Sequence, residues 1–450
     1  FSNNKSILRD EGAYLNEGQK LWKRAKEVIP GGNMFISKRP DLFLPKFWPT
    51  YYEKAKGCSI WGINNKKYID FNLMGVGTNL LGYARQEVDS AVNKVIQEGN
   101  MTSLNCKEEV FLAEKLVEMH PWSSKAKFAR TGGEANAMAI RISRSYTKKD
   151  NIAVCGYHGW HDWYLSANLN TKKNDQLKDH LLPGLGSSGV LKSMKNSVHT
   201  FEYNNINQLN KLIKNKNIGT IFMEVSRSYP PKNNFLNKVR DLANKNKIVL
   251  IFDECSSGFR ERFGGLHLKY KVNPDICMFG KALGNGYAIT SIIGEEKIMN
   301  YASKSFISST FCSERIGYVA GLNTLKTMEK NKSWEYVTVF GKKIKKAWSI
   351  LAKKHGLKIE IFGLDALPSF FIKSPNFLKY KTYITQEMLK NGYLASTSVY
   401  VSTAHKSKDL SKYLKILDKI FGNIRKCEEG LNVEELLEGP VCETSFKRLN

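Results

Sequence analysis

The sequence lacks long hydrophobic runs, paired cysteines and enough acidic residues to balance its basic ones. Its apolar runs are short, such as residues 248–252, whereas a membrane-spanning helix needs about 20 apolar residues, so we expect no membrane span. The eight cysteines are spread singly, without the C-x-x-C spacing typical of metal or redox sites. A chain of 450 residues can bury a core without disulfides, which favours a reducing, cytoplasmic location. His158 and His161 have no acidic partner in a zinc-protease pattern, and we predict no metal site.

The shortage of acidic residues leaves a formal net charge of +27, from 69 Lys+Arg and 42 Asp+Glu. Such a charge is compatible with polyanionic partners. The lysines, however, are scattered among Asn and Ile, as in KNKNIG, and neither zinc-finger spacing nor an aromatic RNA-binding signature is present. We therefore predict a solvated basic surface and no nucleic-acid partner. A basic nucleic-acid-binding protein is kept as a minor alternative.

The central part of the chain has the pattern of an α/β protein. From about residue 75 to residue 310, helical and apolar strand patterns alternate, which predicts βαβ units and a mostly parallel sheet. Two apolar runs, TIFMEV (220–225) and IVLIFDE (248–254), flank a predicted helix over residues 237–246. A strand-helix-strand crossover places both carboxyl ends at the same sheet edge, where open α/β folds bind ligands.

The two ends of the chain predict a smaller α+β part. A helix from about Tyr14 to Val28 is followed by two strands around the Asn64-Asn65 turn. After Glu314 a long, interrupted helical stretch runs toward Leu351, and a further helix covers roughly residues 410–424. We therefore predict three segments: an N-terminal helix and small-domain segment (1–74), a large ligand-binding domain (75–314), and a linking helix with the C-terminal small domain (315–450).

Two side chains at predicted strand ends suggest a cofactor site. Asp253 follows a buried strand, and on that segment alone a structural, capped carboxylate is the commoner interpretation. Lys281 follows a second apolar strand and precedes a glycine-rich turn, so we expect it to be buried at the sheet edge. A desolvated lysine is a usable nucleophile toward a carbonyl. Together the lysine and the aspartate suit pyridoxal 5′-phosphate (PLP), whose aldehyde binds an amine and whose ring nitrogen needs a carboxylate.

A phosphate site is predicted in KFARTGGEANAMAIRISRSY. A short strand leads through Thr131, Gly132 and Gly133 into an Ala-rich helix, and backbone amides at a helix N-terminus bind phosphate. Tyr157 lies just past the next apolar strand, in IAVCGYHGWHDW, and its ring could stack on a cofactor or simply fill the core.

These segments together resemble the fold-type I, class-III PLP-dependent aminotransferases. The strongest match is LIFDECSSGFRERFGGLHLKYKVNPDICMFGKALGNGYAITSIIG, and IPGG, TGGEANAMAIRISRSYT and YHGWHD add to it. Within the class, the motifs most resemble the glutamate-1-semialdehyde 2,1-aminomutase branch, over roughly Val28 to Met328. The resemblance implies a large α/β/α domain with a mostly parallel sheet, and a smaller α+β domain built from both chain ends.

The resemblance also implies roles around the cofactor ring. Lys281 would hold PLP as a Schiff base and shuttle the substrate proton, with pyridoxamine 5′-phosphate as the other form in turnover. Asp253 would pair with the ring nitrogen. Tyr157 would stack on one face of the ring, and Cys255, where the family usually has Val, on the other. Glu224 would lie near the 3′-oxygen or a substrate gate.

The phosphate side is implied in the same way. Gly132 and Gly133 would bind the phosphate through backbone amides, with Thr131 and His158 as further cofactor contacts. Gly133 replaces the family's usual Thr or Ser, so a hydroxyl contact is missing. Thr310 matches a threonine that reaches the phosphate of the neighbouring subunit, which implies a homodimer with composite sites.

Departures from the aminomutase pattern affect the expected substrate residues. Lys38 stands where the branch has a carboxylate-binding arginine, with Arg39 next to it, and lysine lacks the bidentate fork of arginine. Val76 replaces a tryptophan, and Tyr400 falls near the position of an active-site glutamate. Arg227 is introduced past Glu224; an anion clamp and a surface arginine are equally supported interpretations.

The sequence therefore predicts a PLP enzyme that moves an amino group to or from an aldehyde or ketone. An intermolecular aminotransferase is favoured over an intramolecular aminomutase, and a decarboxylase or racemase is a minor alternative. The acceptor stays open among a small semialdehyde, a keto acid and a sugar derivative.

Overall fold

The computed structural model describes residues 17–172, 176–177 and 186–443. Thirteen strands are present in that part of the chain, numbered in chain order: β1 Tyr52–Lys56, β2 Ser59–Gly62, β3 Lys67–Phe71, β4 Lys125–Ala129, β5 Asn151–Cys155, β6 Val198–Thr200, β7 Ile218–Glu224, β8 Val249–Glu254, β9 Ile276–Phe279, β10 Thr290–Gly294, β11 Ile359–Phe362, β12 Ser369–Ile372 and β13 Tyr393–Ala395.

The α-helices of the same part of the chain are α1 Glu17–Val28, α2 Gln86–Glu98, α3 Lys107–Met119, α4 Gly132–Thr147, α5 Asp162–Leu165, α6 Ile206–Lys216, α7 Phe235–Lys245, α8 Leu266–Tyr270, α9 Glu296–Met299, α10 Arg315–Asn331, α11 Ser333–Lys354, α12 Phe377–Lys390 and α13 Ser407–Glu428. Within these described ranges, no helix combines the length and the apolar character needed to cross a bilayer.

The largest sheet has seven strands in the order β4-β10-β9-β8-β7-β5-β6. Its strands pair in parallel except β10, which is antiparallel to both neighbours. Every residue of β7, β8 and β9 is buried, as expected for parallel strands that are covered on both faces. The predicted mostly parallel sheet is therefore confirmed, with β7 and β8 close to the predicted 220–225 and 248–254.

Residues 52–71 and 393–395 form a four-stranded sheet of order β1-β2-β3-β13. In this sheet β3 and β13 pair in parallel, with Ile69 opposite Tyr393, so hydrogen bonds join an N-terminal to a C-terminal segment of the chain. The interrupted helical stretch is α10 and α11, divided at Lys332, whose φ of 46° cannot continue a right-handed helix. The first predicted helix is present as α1, and its predicted residues 14–16 lie outside the described residues. The division into three segments stays a prediction.

The side chains of Asp253 and Glu254, the last two residues of β8, point to opposite faces of the sheet and have different partners. Glu254 accepts hydrogen bonds from the backbone N–H of Leu266 (2.6 Å) and His267 (2.8 Å), from the Ser257 hydroxyl (2.9 Å) and from His267 Nδ1 (2.6 Å). Burial acts to raise the pKa of Glu254, but His267 and the backbone donors outweigh it, and the net shift is downward. An ionised carboxylate thus fixes the start of α8 beneath the sheet.

We expect Glu254→Gln to lower stability by about 2–4 kcal/mol at pH 7, because it leaves buried donors without a charged acceptor. A carboxylate with a depressed folded-state pKa stabilises the protein above its unfolded pKa of about 4.3, and this contribution is lost as the pH falls through the folded pKa. The thermal midpoints of the two proteins should therefore differ by several degrees at pH 7 and converge in acid.

The matched control is Glu118→Gln, which changes an exposed carboxylate on α3 and should leave the midpoint unchanged. Equal midpoints of the Glu254→Gln variant and the wild type at pH 7, or a gap that widens in acid, would contradict this account.

Candidate functional site

Four predicted residues lie at one edge of the seven-stranded sheet. Strands β5, β7, β8 and β9 are parallel neighbours, so their carboxyl ends meet there. Glu224 ends β7 directly opposite Asp253 of β8, and Asp253 is opposite Met278 of β9. Tyr157 follows β5 by two residues, and its backbone N–H donates to Glu224 (3.3 Å). Lys281 follows β9 by two residues.

The Asp253 carboxylate is buried and held by three donors. Oδ2 accepts from Asn136 Nδ2 (2.9 Å) on α4 and from His158 Nδ1 (2.9 Å), while Oδ1 accepts from the backbone N–H of Cys255 (3.0 Å). The second ring nitrogen of His158 faces the Cys155 carbonyl (3.1 Å), so both ring nitrogens are placed against oxygen atoms. Burial acts to raise the pKa of Asp253, but His158 and the other donors outweigh it and lower the pKa.

This arrangement fits a protonated pyridine nitrogen. The carboxylate is ionised, and Oδ1 accepts one hydrogen bond from the described residues, which leaves a lone pair for a further donor. His158, which the sequence suggested only as a general cofactor contact, contacts Asp253. Asn136, in the Ala-rich helix, was not singled out from the sequence.

Lys281 begins a short 3₁₀ turn, Lys281–Gly284, with a φ of 41°. Its Nζ donates to the Ser256 hydroxyl (2.7 Å). The sequence predicted a buried lysine, but Lys281 is half-buried, although the other three residues of the same turn, Ala282, Leu283 and Gly284, are buried. The lysine amine therefore lies at the crevice and not in the sealed core.

The same hydroxyl of Ser256 also accepts from Arg227 Nη1 (2.6 Å), and Arg227 Nη2 donates to the Tyr400 hydroxyl (3.1 Å). Glu224 Oε1 lies 3.7 Å from Arg227 Nη1. Arg227 and Tyr400, predicted as substrate residues from unrelated parts of the chain, are thus joined to Lys281 through one serine. Ser256 was missed, although it lies in the quoted CSSGFR run, because a serine after a strand has no distinctive pattern.

A second guanidinium, that of Arg260, is only 1% exposed beside this group and was also missed. Its Nε donates to the Ser256 carbonyl (2.5 Å) and its Nη2 to the Gly77 carbonyl. Burial lowers the pKa of Arg260 to about 10. Burial acts to raise the pKa of Tyr400, but Arg227, Lys281 and Arg260 outweigh it and lower the pKa. The signal in the sequence was an arginine within the apolar GFR segment.

Val76 is next to Gly77 and has a φ of 58°, an unusual conformation for a β-branched residue. It belongs to a run, Met74–Gly77, in which all four residues have positive φ. A Cβ on Gly77 would lie 2.6 Å from Arg260 Nη2 and 3.2 Å from a ring carbon of Tyr400. The backbone beside the predicted Val76 therefore touches the cationic side of the site.

The predicted phosphate turn is the start of α4. Thr131 is the N-cap, and its hydroxyl accepts from the Glu134 backbone N–H (3.4 Å), so the helix begins at Gly132. The amides of Gly132 and Gly133 belong to the first turn, which has no intrahelical acceptors. A Cβ on Gly132 would lie 3.3 Å from Cys255 Sγ, so the turn and the cysteine are in contact. Burial raises the pKa of the Cys255 thiol to about 11.

Three predicted residues are not joined to this group by the contacts of the described chain. Lys38 is exposed on a 3₁₀ turn, and the Arg39 guanidinium pairs with Asp41 (3.0 Å). Thr310 is exposed at the start of another 3₁₀ turn, as expected of a residue that serves a neighbouring subunit. The roles of these three residues stay predictions.

Comparison with known proteins identifies the family to which the chain belongs. A family model described as "Aminotransferase class-III" matches residues 45–409. The 3-aminobutyryl-CoA aminotransferase of Cloacimonas acidaminovorans is 30% identical over 427 residues, which cover 92% of this chain and 98% of the relative. The glutamate-1-semialdehyde 2,1-aminomutase of Nitrosopumilus maritimus is 33% identical over 425 residues, covering 88% and 96%.

Solved structures agree on the fold. An omega-transaminase from Sphaerobacter thermophilus matches with a TM-score of 0.80 and 21% identity, over 93% of this chain and all of that one. A glutamate-1-semialdehyde aminomutase from Pseudomonas aeruginosa matches with a TM-score of 0.78 and 14% identity, over 93% of this chain and 96% of that one. The predicted fold-type I architecture is confirmed. The chain therefore belongs to the class-III aminotransferases, a family of PLP-dependent enzymes.

Proposed function

We propose that this protein is an aminotransferase that uses PLP bound to Lys281 to move an amino group between an amino donor and an aldehyde or ketone. The observation that carries the proposal is the meeting of Lys281 and an ionised Asp253 at the ends of neighbouring strands β9 and β8. The first turn of α4 adjoins these strand ends, because Gly132 lies against the Cys255 side chain. An amine, a carboxylate and free helix amides are the three groups that PLP requires.

When bound, PLP draws electrons from the carbon that carries the amino group, provided that its ring nitrogen stays protonated. Asp253 maintains that proton because its own carboxylate is kept ionised by His158, Asn136 and a backbone amide. Cys255 and Tyr157 line the proposed site of the cofactor ring. The hydrogen bond from the Tyr157 backbone N–H to Glu224 fixes the position of Tyr157.

Lys281 is proposed to take the proton from the substrate carbon and return it at the neighbouring position. Its amine already rests on a hydroxyl, that of Ser256, at 2.7 Å. The same hydroxyl is held by Arg227, so it orients the lysine while the amine is free of the cofactor. Ser256 is therefore a positioning residue for Lys281.

The charges around Ser256 favour a substrate with an anionic group. The basic side chains of Lys281, Arg227 and Arg260 converge there. Of these three, Arg227 is paired with a carboxylate, that of Glu224. A buried cation is costly without an anionic partner. We propose that Arg227, with the Tyr400 hydroxyl, binds a substrate carboxylate, and that Val76 borders the same space. Lys38 and Arg39 are weaker candidates because Arg39 already pairs with Asp41.

The second candidate function is a glutamate-1-semialdehyde 2,1-aminomutase. The observation in its favour is the 33% identity with a protein of that name across 96% of the relative's length. The changes at Lys38, Val76 and Tyr400 favour the intermolecular reaction instead.

We also propose a homodimer in the cytoplasm. Thr310 is exposed beside Phe311 and near Phe306, which are 68% and 88% exposed, and such apolar exposure suits a subunit interface that would bring Thr310 to a partner's site. All eight cysteines are free thiols, as suits a reducing compartment.

One prediction of this proposal concerns the reaction class. In single-turnover mixing of the PLP-loaded protein with glutamate, alanine, aspartate and other donors, one donor should convert the cofactor to pyridoxamine 5′-phosphate and release stoichiometric keto acid. Lys281→Ala should slow this conversion at least about 10³-fold, because both the proton carrier and the covalent anchor are lost. Lys238→Ala, an exposed lysine on α7, is the matched control and should react like the wild type.

If no donor reacts but the pyridoxamine-loaded protein converts glutamate-1-semialdehyde without a donor, the aminomutase is the correct function. Unchanged turnover by Lys281→Ala would overturn both candidates.

The second prediction concerns the substrate carboxylate. Arg227→Gln should raise the KM for a carboxylate-bearing donor about 10- to 100-fold, the range of a lost hydrogen bond to a charged group. The KM for an uncharged amine of similar size should change little. Arg425→Gln, an exposed arginine on α13 that pairs with Glu429, is the control. Equal losses for charged and uncharged donors would argue against a carboxylate clamp.

A further inference from the structure

His161 has a ring nitrogen that is enclosed but unused. The residue is the N-cap of α5, and its ring stacks on that of Trp160 with centroids 4.7 Å apart. Its Nδ1 is buried, yet it has no hydrogen-bond partner among the described residues. A buried polar atom without a hydrogen-bond partner destabilises the folded protein, so an atom of this kind points to a partner from outside the chain.

The His161 ring occupies the space of a missing side chain on α4. A Cβ on Gly133 would lie 2.6 Å from Nδ1 and 2.7 Å from Cε1 of this ring. The turn can approach α4 this closely because Gly159 also lacks a side chain: a Cβ there would lie 3.2 Å from the Gly133 Cα. Two glycines thus place an imidazole beside the second residue of the helix.

A side chain at the place of the His161 ring, beside Gly133, can contact an anion bound at the start of α4. The first-turn amides of Gly132 and Gly133 have no acceptor within the helix, and the helix dipole favours negative charge there. Glu134, in the same turn, is turned to the backbone, since its Oε2 accepts from the Arg130 N–H (3.0 Å). The unpartnered Nδ1 and the unpartnered amides therefore adjoin each other.

We propose that His161 donates a hydrogen bond from Nδ1 to the phosphate of the cofactor, replacing the hydroxyl contact that Gly133 cannot make. This inference rests on the proposed function, which places that phosphate at the start of α4. The net effect of burial, opposed by Glu134 and Asp162, lowers the pKa of His161. The lowered pKa favours the neutral ring, and the proposed bond requires the tautomer that carries its proton on Nδ1.

The test compares two probes that differ by the phosphate alone. The full chain, stripped of cofactor, is titrated with PLP and with pyridoxal, and binding is followed by cofactor absorbance. His161→Phe keeps an aromatic ring to stack on Trp160 but removes the N–H. We expect this variant to bind PLP about 10- to 100-fold more weakly and pyridoxal as tightly as the wild type does.

A reciprocal substitution gives an independent readout. Gly133→Ser alone should weaken PLP binding, because its Cβ would collide with the His161 ring. In the double variant His161→Ala, Gly133→Ser, the space is free and the new hydroxyl should restore at least part of the PLP affinity lost in His161→Ala. Recovery of this kind is not expected if His161 only supports the fold.

Two outcomes would overturn the inference: His161→Phe binding PLP as tightly as the wild type, or losing PLP and pyridoxal affinity equally. Failure of the proposed function would look different, because the wild type itself would then bind neither probe.

Discussion

The site depends on keeping one carboxylate ionised inside the protein. Asp253 is buried at the end of β8, where burial alone would favour its neutral form. Three donors from three parts of the chain reverse that preference: Asn136 on α4, His158 after β5 and the amide of Cys255. The same contacts fix the helix start to the strand ends. The electrostatic requirement and the geometry of the site are therefore met by one network.

The other side of the site carries the opposite charge. Lys281 and Arg227 share the Ser256 hydroxyl, and Arg260 holds the carbonyl of the same serine together with that of Gly77. This cationic group ties the strained segment around Val76 to the sheet edge, beside the place that we propose for the substrate. The division of charge, anionic at Asp253 and cationic around Ser256, suits a cofactor ring on one side and an anionic substrate on the other.

Much of the fold could be predicted from the sequence because local patterns determine it. The apolar runs of β7 and β8 indicated where these strands end and therefore placed Glu224 and Asp253 at one edge of the sheet. Ser256, Arg260 and His161 could not be found in this way, because their positions depend on contacts between distant segments. The partial exposure of Lys281 was missed because an apolar strand does not indicate which residues of the following turn are buried: Ala282 and Leu283 are buried, and Lys281 is only half-buried.

The most direct test of the account is to find which lysine carries the cofactor. The PLP-loaded protein is treated with borohydride, which makes the bond between a lysine and the cofactor aldehyde permanent, and its peptides are mapped by mass spectrometry. We predict one modified residue, Lys281, and none in a Lys281→Ala variant. A label on another lysine, or none in the wild type, would contradict the central claim that the lysine after β9 and the ionised Asp253 form one PLP site.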